Sequence, residues 1–568
     1  MKTIPTKNAC VLVFLAAFLI APNLFAQKKT DAELRQMHVE VVDDPYMPGI
    51  QENIPVSPAY NVETSDYYTR QVNIDGNGDN ILNDAGNEPS LAVDPTNPDR
   101  IVVGWRQFDN INSNFRQAGY GYATNGVDFT FPGVLDPGLF RSDPVLDFDA
   151  QGNFYYNSLQ GTFACDVFTI DDGGVVWGAP VPAHGGDKQW MRIDRSTSSS
   201  AGHNYSYWNR SFTTCTSDGA FTRSTDGSNS FGDCITVDGD PFWGTLALAS
   251  NGDLYLTGRT GGDIVVVKST DAKDASGPVT WDAVSNVDLD GFLDAGIPIN
   301  PQGLLGQAWV DVDVSFNAGH GNVYVAASVA RISNGDPGDV MFARSTDGGS
   351  TFEPPIKINT DASTSNYQWF GTMSVAPNGR IDVIWLDTRD NPGTFMSRLY
   401  YSFSDDQGDT WSANEAISEA FDPSLGYPQQ NKMGDYFDMK SDIHFAHVAW
   451  AATFTGGQDV YYTRIDPDST LGINDPVAVN ALQLTNYPNP FSESTTISFS
   501  VPSESKVMLE VFDINGKRVN TLVDETLIGK QRIVWNGATN QGAKAQSGIY
   551  FIRLKAGNRT QTLKAVLK

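Results

Sequence analysis

The stretch Ser345-Thr346-Asp347-Gly348-Gly349-Ser350-Thr351-Phe352 decides the fold, because similar stretches recur along the chain. Ser404 to Trp411 and Ser224 to Phe231 keep the order of Ser, Asp, small residues and closing aromatic. Asp and Ser side chains accept hydrogen bonds from backbone N–H groups a few residues further on, and Gly supplies the positive φ that a tight hairpin needs. The stretch is therefore predicted to be a hairpin turn whose aspartate is structural.

Less regular copies bring the number of these turns to seven. They run from Tyr122 to Phe129, Ile170 to Trp177, Ser269 to Trp281 and Arg464 to Leu471. The closing residues of the seven turns follow one another at intervals of 48 to 71 residues. A sequence period of this size indicates stacked supersecondary units.

A second repeat alternates with the turns. In its clearest copy, Glu88 to Asp94 leads through a turn into Ile101 to Trp105. Short β-branched and aromatic runs joined by such turns are typical of antiparallel hairpins. Each unit is therefore predicted to be an inner hairpin followed by an outer hairpin, which makes one four-stranded blade. The other copies begin near Asp143, Gln189, Trp243, Trp309, Phe370 and Asp435.

The repeated turn resembles the Asp box of the sialidase-like β-propellers over residues 85–471. This resemblance implies that each turn lies on the outer hairpin of a blade, where its aspartate is structural. Seven units predict seven blades, with the six of sialidases as the alternative. A composition of 53 Gly, 30 Pro and 11% aromatic residues fits a turn-rich, all-β chain.

The start of the chain predicts secretion. Lys2 and Lys7 precede an apolar run that is too short to span a bilayer, and Ala26 ends a small-residue cleavage site, so residues 1–26 are interpreted as a signal peptide. Residues 27–84 are interpreted as an N-terminal extension. In an oxidising compartment, Cys165, Cys215 and Cys234 predict one disulfide and one free thiol, with the pairing left open.

The end of the chain predicts a second, smaller domain. After a linker at 472–483, residues 484–568 contain Leu484 to Phe491, four strand-like runs and the closing stretch Lys564 to Lys568. This combination resembles the C-terminal sorting domain of the type IX secretion system. The resemblance implies a seven-stranded β-sandwich, the type IX machinery as a partner, and a protein that is released or attached at the outer-membrane surface.

The charge distribution limits the choice of partners. The chain carries a net charge of −29, and residues 481–568 carry +5, so the remainder carries −34. Nucleic acids and anionic membranes are bound by basic patches, and an acidic propeller is not expected to bind them. The protein is expected to be a monomer with no transmembrane segment and no organic cofactor.

One loop is predicted to bind Ca²⁺. Asp75, Asn77 and Asp79 place side-chain oxygens at alternate positions, as calcium loops do. The loop departs from the EF-hand pattern at Asn80 and Gly86, where that pattern has Gly and Glu. An ordinary Asx-rich turn is the alternative interpretation.

The candidate catalytic residues are those that a sialidase-like site would use: arginines for a sugar carboxylate, a tyrosine nucleophile and carboxylic acids. The sialidase Phe-Arg-Ile-Pro signature is absent, and the nearest string is Phe140-Arg141-Ser142-Asp143-Pro144. The candidates at the starts or ends of inner strands are Arg106, Arg141, Asp143, Asp387, Arg389, Asp435 and Tyr436.

Aromatic and polar residues at the starts of inner strands are the candidate sugar-binding groups, since they are expected near the propeller axis. They are Glu88, Trp190, Trp243, Trp309 and Trp369. The alternative is that these tryptophans only pack between blades. Two hypotheses follow: a secreted glycan-active hydrolase or lyase with an axial site, and a noncatalytic propeller that binds extracellular polysaccharide, glycoconjugate or protein.

Overall fold

The computed structural model describes residues 29–37, 43–47, 55–170, 176–216, 218–467, 484–514, 517–556 and 559–568. Contacts divide the chain into two compact units, Met1–Asp468 and Ser469–Lys568. The predicted signal peptide, the Asp172-Gly173-Gly174 centre of the second turn, the end of the seventh turn and the linker at 472–483 lie outside the described residues.

The N-terminal segment contributes the α-helix of the described ranges, α1 (Asp31–Met37). Thr30 and Glu33 form a capping box, in which the Thr30 N–H donates to Glu33 Oε2 at 2.7 Å and the Glu33 N–H donates to Thr30 Oγ1 at 3.3 Å. Leu34 is fully buried in a core cluster of the propeller, so the helix is docked on the ring. Four short strands follow: β1 (Val56–Ser57), β2 (Asn61–Glu63), β3 (Tyr67–Gln71) and β4 (Asn80–Ile81).

Three antiparallel sheets form the first three blades. Blade one is β5 (Ala85–Val93), β6 (Ile101–Phe108), β7 (Gln117–Ala123) and β8 (Phe129–Leu135). Blade two is β9 (Ser142–Phe148), β10 (Phe154–Leu159), β11 (Cys165–Ile170) and β12 (Val181–Pro182). Blade three is β13 (Trp190–Ile193), β14 (Asn204–Tyr207) and β15 (Phe221–Ser224), with a 3₁₀ turn at Arg210–Phe212.

Three further sheets follow in the same order, from the inner strand outwards. Blade four is β16 (Leu246–Leu248), β17 (Leu254–Thr260), β18 (Asp263–Ser269) and β19 (Ala283–Val287). The short strands β20 (Gly291–Phe292), β21 (Ala295–Ile297) and β22 (Asn300–Leu304) precede blade five, which is β23 (Trp309–Val312), β24 (Val323–Arg331), β25 (Asp339–Ser345) and β26 (Ile356–Lys357). Blade six is β27 (Gln368–Val375), β28 (Ile381–Asp387), β29 (Arg398–Ser404) and β30 (Glu415–Ala416).

The seventh blade closes the ring with strands from both ends of the propeller. Its inner strands are β31 (Asp438–Ser441), β32 (Ala446–Ala452) and β33 (Asp459–Ile465), and its outer strands are β3 and β2 from the N-terminal segment. The hydroxyls of Thr69 and Thr463 lie 2.8 Å apart across the β3–β33 pair. The predicted seven blades are confirmed, but residues 61–71 belong to the last blade and are not only an extension before the first.

The repeated turns make the hydrogen bonds that their sequence predicts. Ser345 Oγ donates to Asp347 Oδ1 at 2.8 Å, and the hydroxyl and N–H of Thr351 donate to the Asp347 carboxylate at 2.7 and 2.9 Å. These hydrogen bonds lower the pKa of Asp347 to about 2. Asp226, Asp271 and Asp406 are held in the same way directly after the third strand of their units.

In five blades, a residue with a left-handed backbone lies in or just before the inner strand. Its φ is 48° at Glu88, 44° at Asp143, 56° at Lys188, 59° at Trp243 and 56° at Phe370. In blades one, two and six, the strand register shifts at this residue, which is the mark of a β-bulge. Because bulges redirect side chains, this kink determines what gathers at the axis.

The structure shows which two cysteines form the disulfide, a question that the sequence left open. Cys215 and Cys234 form the disulfide, and Cys165 is the free, buried thiol. Burial raises the pKa of Cys165, so its thiol is not activated for exchange.

The C-terminal unit has its own core around Trp535. In the described residues it forms β34 (Thr485–Tyr487), β35 (Thr495–Asp513), β36 (Arg518–Trp535), β37 (Gly548–Ala556) and β38 (Arg559–Leu567). Five strands stand where seven were expected, because β35 and β36 are long and shift register between Val501 and Ser505 without ending.

Candidate functional site

Buried acids and bases from blades one, two, three and seven meet at the propeller axis. Lys188 Nζ lies 2.8 Å from Asp435 Oδ2 and 3.3 Å from Asp143 Oδ2. Lys432 Nζ lies 2.7 Å from Asp435 Oδ2 and 3.2 Å from Glu88 Oε1. These contacts define the axial cluster, whose members are Glu88, Arg106, Asp143, Asp187, Lys188, Lys432 and Asp435.

The charges of the axial cluster strongly perturb one another. Burial raises the pKa of Glu88 to about 7, although Arg106 and Lys432 act in the opposite direction. Burial also disfavours ionisation of Asp143, but Lys188 and Arg106 outweigh it and lower the pKa of that acid. The pKa of Lys188 is well above its usual value, since its acidic neighbours overcome the effect of burial. The cluster is thus an ion-pair network in which Asp143 is ionised and Lys188 is protonated.

The axial cluster is closed to a polymer. Glu88 and Asp435 have no exposed surface, and Asp143 is 3% exposed. Tyr436 is 1% exposed, its hydroxyl donates to the Pro144 carbonyl at 2.9 Å, and its pKa is raised well above normal by burial. The structure therefore brings Glu88, Arg106, Asp143, Asp435 and Tyr436 together, and the described residues around them bury all five side chains.

The tryptophans predicted to bind sugar pack inside the propeller. Trp190 contacts Trp309 and Tyr436 edge-on at centroid distances of 5.1 and 5.2 Å. Each of the four indoles is at most 1% exposed and belongs to a buried core cluster: Trp190, Trp243, Trp309 and Trp369. The alternative interpretation, packing between blades, describes them correctly.

Three candidate catalytic residues lie outside the axial cluster. Arg141 is paired with Asp136 at 2.6 Å and with Asp166 at 2.7 Å. Arg389 Nε donates to Asp387 Oδ2 at 2.8 Å in blade six, and Trp385 Nε1 donates to the same oxygen at 2.7 Å. Each of these guanidinium groups is ion-paired with carboxylates of its own surroundings, so an arginine triad for a sugar carboxylate is not assembled by the residues predicted for it.

In the predicted calcium loop, Asp75 makes Asx-turn hydrogen bonds at the surface. Asp75 Oδ1 accepts the N–H groups of Asn77 at 2.8 Å and Asp79 at 2.9 Å, and these bonds lower the pKa of Asp75. Binding of Ca²⁺ by Asp75, Asn77 and Asp79 stays a prediction. Elsewhere in the described part of the chain, one group of His and Cys side chains is close enough to share a metal: His184, Cys215 and Cys234. Because those two cysteines are joined in a disulfide, they do not offer thiolates.

An open cavity lies between the N-terminal segment and the loop after β6. Its volume is about 620 Å³, within the range of small-molecule sites. Tyr46 is 39% exposed, and its ring lies 5.4 Å from that of Phe115, measured between centroids. We call this cavity the N-terminal groove; its lining residues are Asp44, Pro45, Tyr46, Met47, Asn83, Asp109, Asn110, Asn112, Ser113 and Phe115.

Hydrogen bonds fix both walls of the N-terminal groove. Asp44 Oδ2 accepts from Ser113 Oγ at 3.0 Å and from the Asn114 N–H at 3.1 Å. Asn114 Oδ1 accepts the Asp44 N–H at 2.6 Å, and Gln429 donates to the Asn112 carbonyl from the loop before blade seven. The groove is thus held at the junction of the first and last blades.

Sequence reasoning missed the N-terminal groove and both axial lysines. Four of the ten lining residues come from Asp44 to Met47, which the sequence places far from Asp109 to Phe115 and outside any repeat. The density of Asn and Asp between 109 and 114 was the available signal, since these residues are typical of exposed, polar loops. Lys188 was detectable too, because it directly precedes the predicted Gln189-Trp190 strand start.

The seven radial sheets define a β-propeller, and the C-terminal unit is a recognised export signal. Residues 485–568 match the family model of the secretion system C-terminal sorting domain. The protein is therefore exported by the type IX secretion system and is secreted or attached at the cell surface. No curated protein matches the sequence.

Solved structures with a related arrangement are distant. A protein of unknown function from Dyadobacter fermentans is 13% identical, with a TM-score of 0.40, covering 72% of this chain and 99% of that one. The BP39L lectin of Burkholderia pseudomallei is 12% identical, with a TM-score of 0.41 and coverages of 66% and 97%. The Trypanosoma rangeli sialidase is 9% identical, with a TM-score of 0.35 and 89% of both chains covered. Because these sequence identities and TM-scores are low, the assignment of the fold as a β-propeller rests on the seven sheets of this structure.

No helix in the described ranges combines the length and apolar character that a bilayer span requires.

Proposed function

We propose that this protein is an extracellular propeller that binds a glycan in the N-terminal groove without cleaving it. The observation that carries the proposal is the groove's lining: two aromatic rings, three Asn side chains, one Ser and two carboxylates around about 620 Å³. Ring faces suit the C–H faces of sugars, and amides and carboxylates suit their hydroxyls, as in sites that combine apolar surface with a few placed polar groups.

Binding is favoured over hydrolysis because of where the acids are. Most glycosidases use two carboxyl groups that flank the scissile bond, and sialidases use a tyrosine nucleophile with an acid. The acids that converge at the axis are Glu88, Asp143 and Asp435, and each is buried and paired with a lysine or arginine. In the N-terminal groove, Asp44 is already engaged by two hydrogen bonds that hold the loop in place. The proposal therefore assigns structural roles to the axial acids.

The test is a binding screen of the mature protein, residues 27–568, on immobilised glycans, followed by calorimetry on those that bind. Tyr46→Ala is expected to weaken binding at least tenfold, because it removes the exposed ring of the groove. Phe316→Ala is the matched control, since Phe316 is a fully exposed aromatic that does not line the groove. Equal binding by wild type and Tyr46→Ala, or release of new reducing ends from a bound glycan, would overturn the proposal.

A further inference from the structure

We infer that the sugar recognised by the N-terminal groove carries a primary ammonium, so that the ligand class is an unacetylated amino sugar within a glycan. This inference rests on the proposed function and narrows it. Its basis is the charge of the groove, the free oxygens of its acids and the position of its aromatic rings.

The described residues that line the N-terminal groove include acidic side chains but no basic one. Asp44 and Asp109 belong to its wall, and no Lys or Arg is present among the described residues that line it. The sequence of residues 38–54, which includes one wall, contains neither Lys nor Arg. The nearest arginine in that wall's contacts is Arg116, which is 2% exposed and is held by Asp43 at 2.9 Å. An anionic sugar would therefore meet repulsion with no cation to offset it.

In the described part of the chain, the hydrogen bonds to the two acids leave one oxygen of each carboxylate for a ligand. The hydrogen bonds that described residues make to Asp44 use Oδ2, as does the hydrogen bond from Gln117 Nε2 to Asp109 at 2.7 Å. A carboxylate that is oriented through one oxygen can accept a charge-assisted hydrogen bond from an ammonium at the other. Asp109 and the neighbouring Asn110 are exposed, so an ammonium can approach from solvent.

The aromatic rings favour the same ligand. Tyr46 and Phe115 stand next to each other in the wall, and an ammonium near a ring face gains cation–π attraction in addition to its ion pair. At longer range, the charge of −34 outside residues 481–568 attracts cations and repels uronates and sialic acids. Charge, hydrogen-bonding capacity and ring placement thus select an amino sugar over a neutral or acidic one.

The test compares two ligands that differ only in the amine. Calorimetry of the full mature chain is carried out with a β-1,4-linked glucosamine oligomer and with its fully N-acetylated counterpart of equal length, at a pH where the amine is protonated. The expected result is at least a tenfold preference for the free amine, which corresponds to about 1.4 kcal/mol. Asp109→Asn keeps the shape of the side chain and is expected to reduce the preference to less than threefold, while the exposed acid Asp238, outside the groove, serves as the control through Asp238→Asn.

The outcomes separate this inference from the proposed function. Equal affinity for the two oligomers would overturn the inference and leave glycan binding standing. Loss of affinity for both oligomers alike in Asp109→Asn would also overturn it, because Asp109 would then be recognising hydroxyls. Failure to bind any glycan of the screen would overturn the proposed function itself.

Discussion

Asp43 and Arg116 form an ion pair, with 2.9 Å between Oδ1 and Nη1, that joins the N-terminal segment to the ring. Arg116 also donates from Nε to Ser142 Oγ at 3.0 Å, and Ser142 Oγ donates to Asp143 Oδ1 at 2.6 Å. The segment that supplies one wall of the N-terminal groove is therefore connected through two side chains to the axial cluster. The connection gives the segment a fixed place on the propeller.

Breaking this pair is expected to dismantle the groove. Arg116→Met keeps much of the apolar stem but removes the partner of Asp43, so glycan affinity should fall at least tenfold and amide exchange at 43–47 should accelerate. Arg398→Met is the matched control, because Arg398 and Asp390 form a partly exposed pair of the kind worth about 0–1 kcal/mol. Unchanged exchange at 43–47 in Arg116→Met would show that the segment is held by other contacts.

The axial acids are expected to matter for stability and not for turnover. Asp435→Asn leaves Lys188 and Lys432 without their shared carboxylate, and removing one partner of a buried network typically costs about 3–5 kcal/mol. Urea unfolding followed by tryptophan fluorescence measures this loss, with Asp390→Asn as the exposed control. A variant of normal stability that abolished a glycosidase activity would instead identify Asp435 as catalytic.

The seam between the first and last blades is expected to make stability fall as the pH rises from about 4 to 7. Burial raises the pKa of Asp459 to about 7, against hydrogen bonds from Thr455 and Asn73, and it raises the pKa of Asp84 well above normal. An acid whose pKa is higher in the folded state than in the unfolded state binds its proton more tightly when the protein is folded. Its contribution to the free energy of unfolding is complete below the unfolded pKa of about 3.9. That contribution decreases as the pH rises and is gone once the pH reaches the folded pKa.

Melting curves across this pH range measure the effect. Asp459→Asn cannot ionise, and its melting temperature should vary less with pH than that of the wild type. Asp442 is a useful reference, because its pKa is lowered to about 2 and its own contribution is lost only in stronger acid. Identical pH profiles for wild type and Asp459→Asn would contradict the assignment.

Closure of the ring by the N-terminal strand is expected to contribute strongly to stability. Thr69→Pro removes a donor from β3 in the middle of its pairing with β33, where Thr69 faces Thr463. The variant should lose cooperative unfolding or melt several degrees lower, as measured by calorimetry. A wild-type melting temperature would mean that β3 is not needed to hold the seventh blade.

Calcium binding at Asp75, Asn77 and Asp79 is the remaining prediction from the sequence. If the ion binds there, millimolar Ca²⁺ should raise the melting temperature relative to EDTA, since a ligand that binds the folded state stabilises it. Asp79→Asn should abolish that shift, because it removes a carboxylate of the loop. Absence of a calcium-dependent shift in the wild type would identify the loop as an ordinary Asx turn.

The sequence predicted the blades well because their signals are local. Asp347 and its neighbours specify a turn within eight residues, and seven such turns set the number of sheets. The β3–β33 pairing could not be predicted, since Tyr67 to Gln71 lie almost 400 residues from their partners and carry no repeat.

The candidate site was harder to predict than the fold, because its residues come from parts of the sequence that lie far apart. The strand starts near Glu88, Asp143 and Asp435 were located correctly, but their burial in one ion-pair network depends on Lys188 from blade three and Lys432 from blade seven meeting there. The N-terminal groove combines Tyr46 with Phe115, and only tertiary structure brings them together.

The most direct test of the account is hydrogen–deuterium exchange of the mature protein with and without the glycan that binds best. Ligand in the N-terminal groove predicts slower exchange at residues 43–47 and 109–115, with the inner strands of the axial cluster unchanged. Protection confined to the strands around Glu88 and Asp143, with none at 43–47 or 109–115, would contradict it.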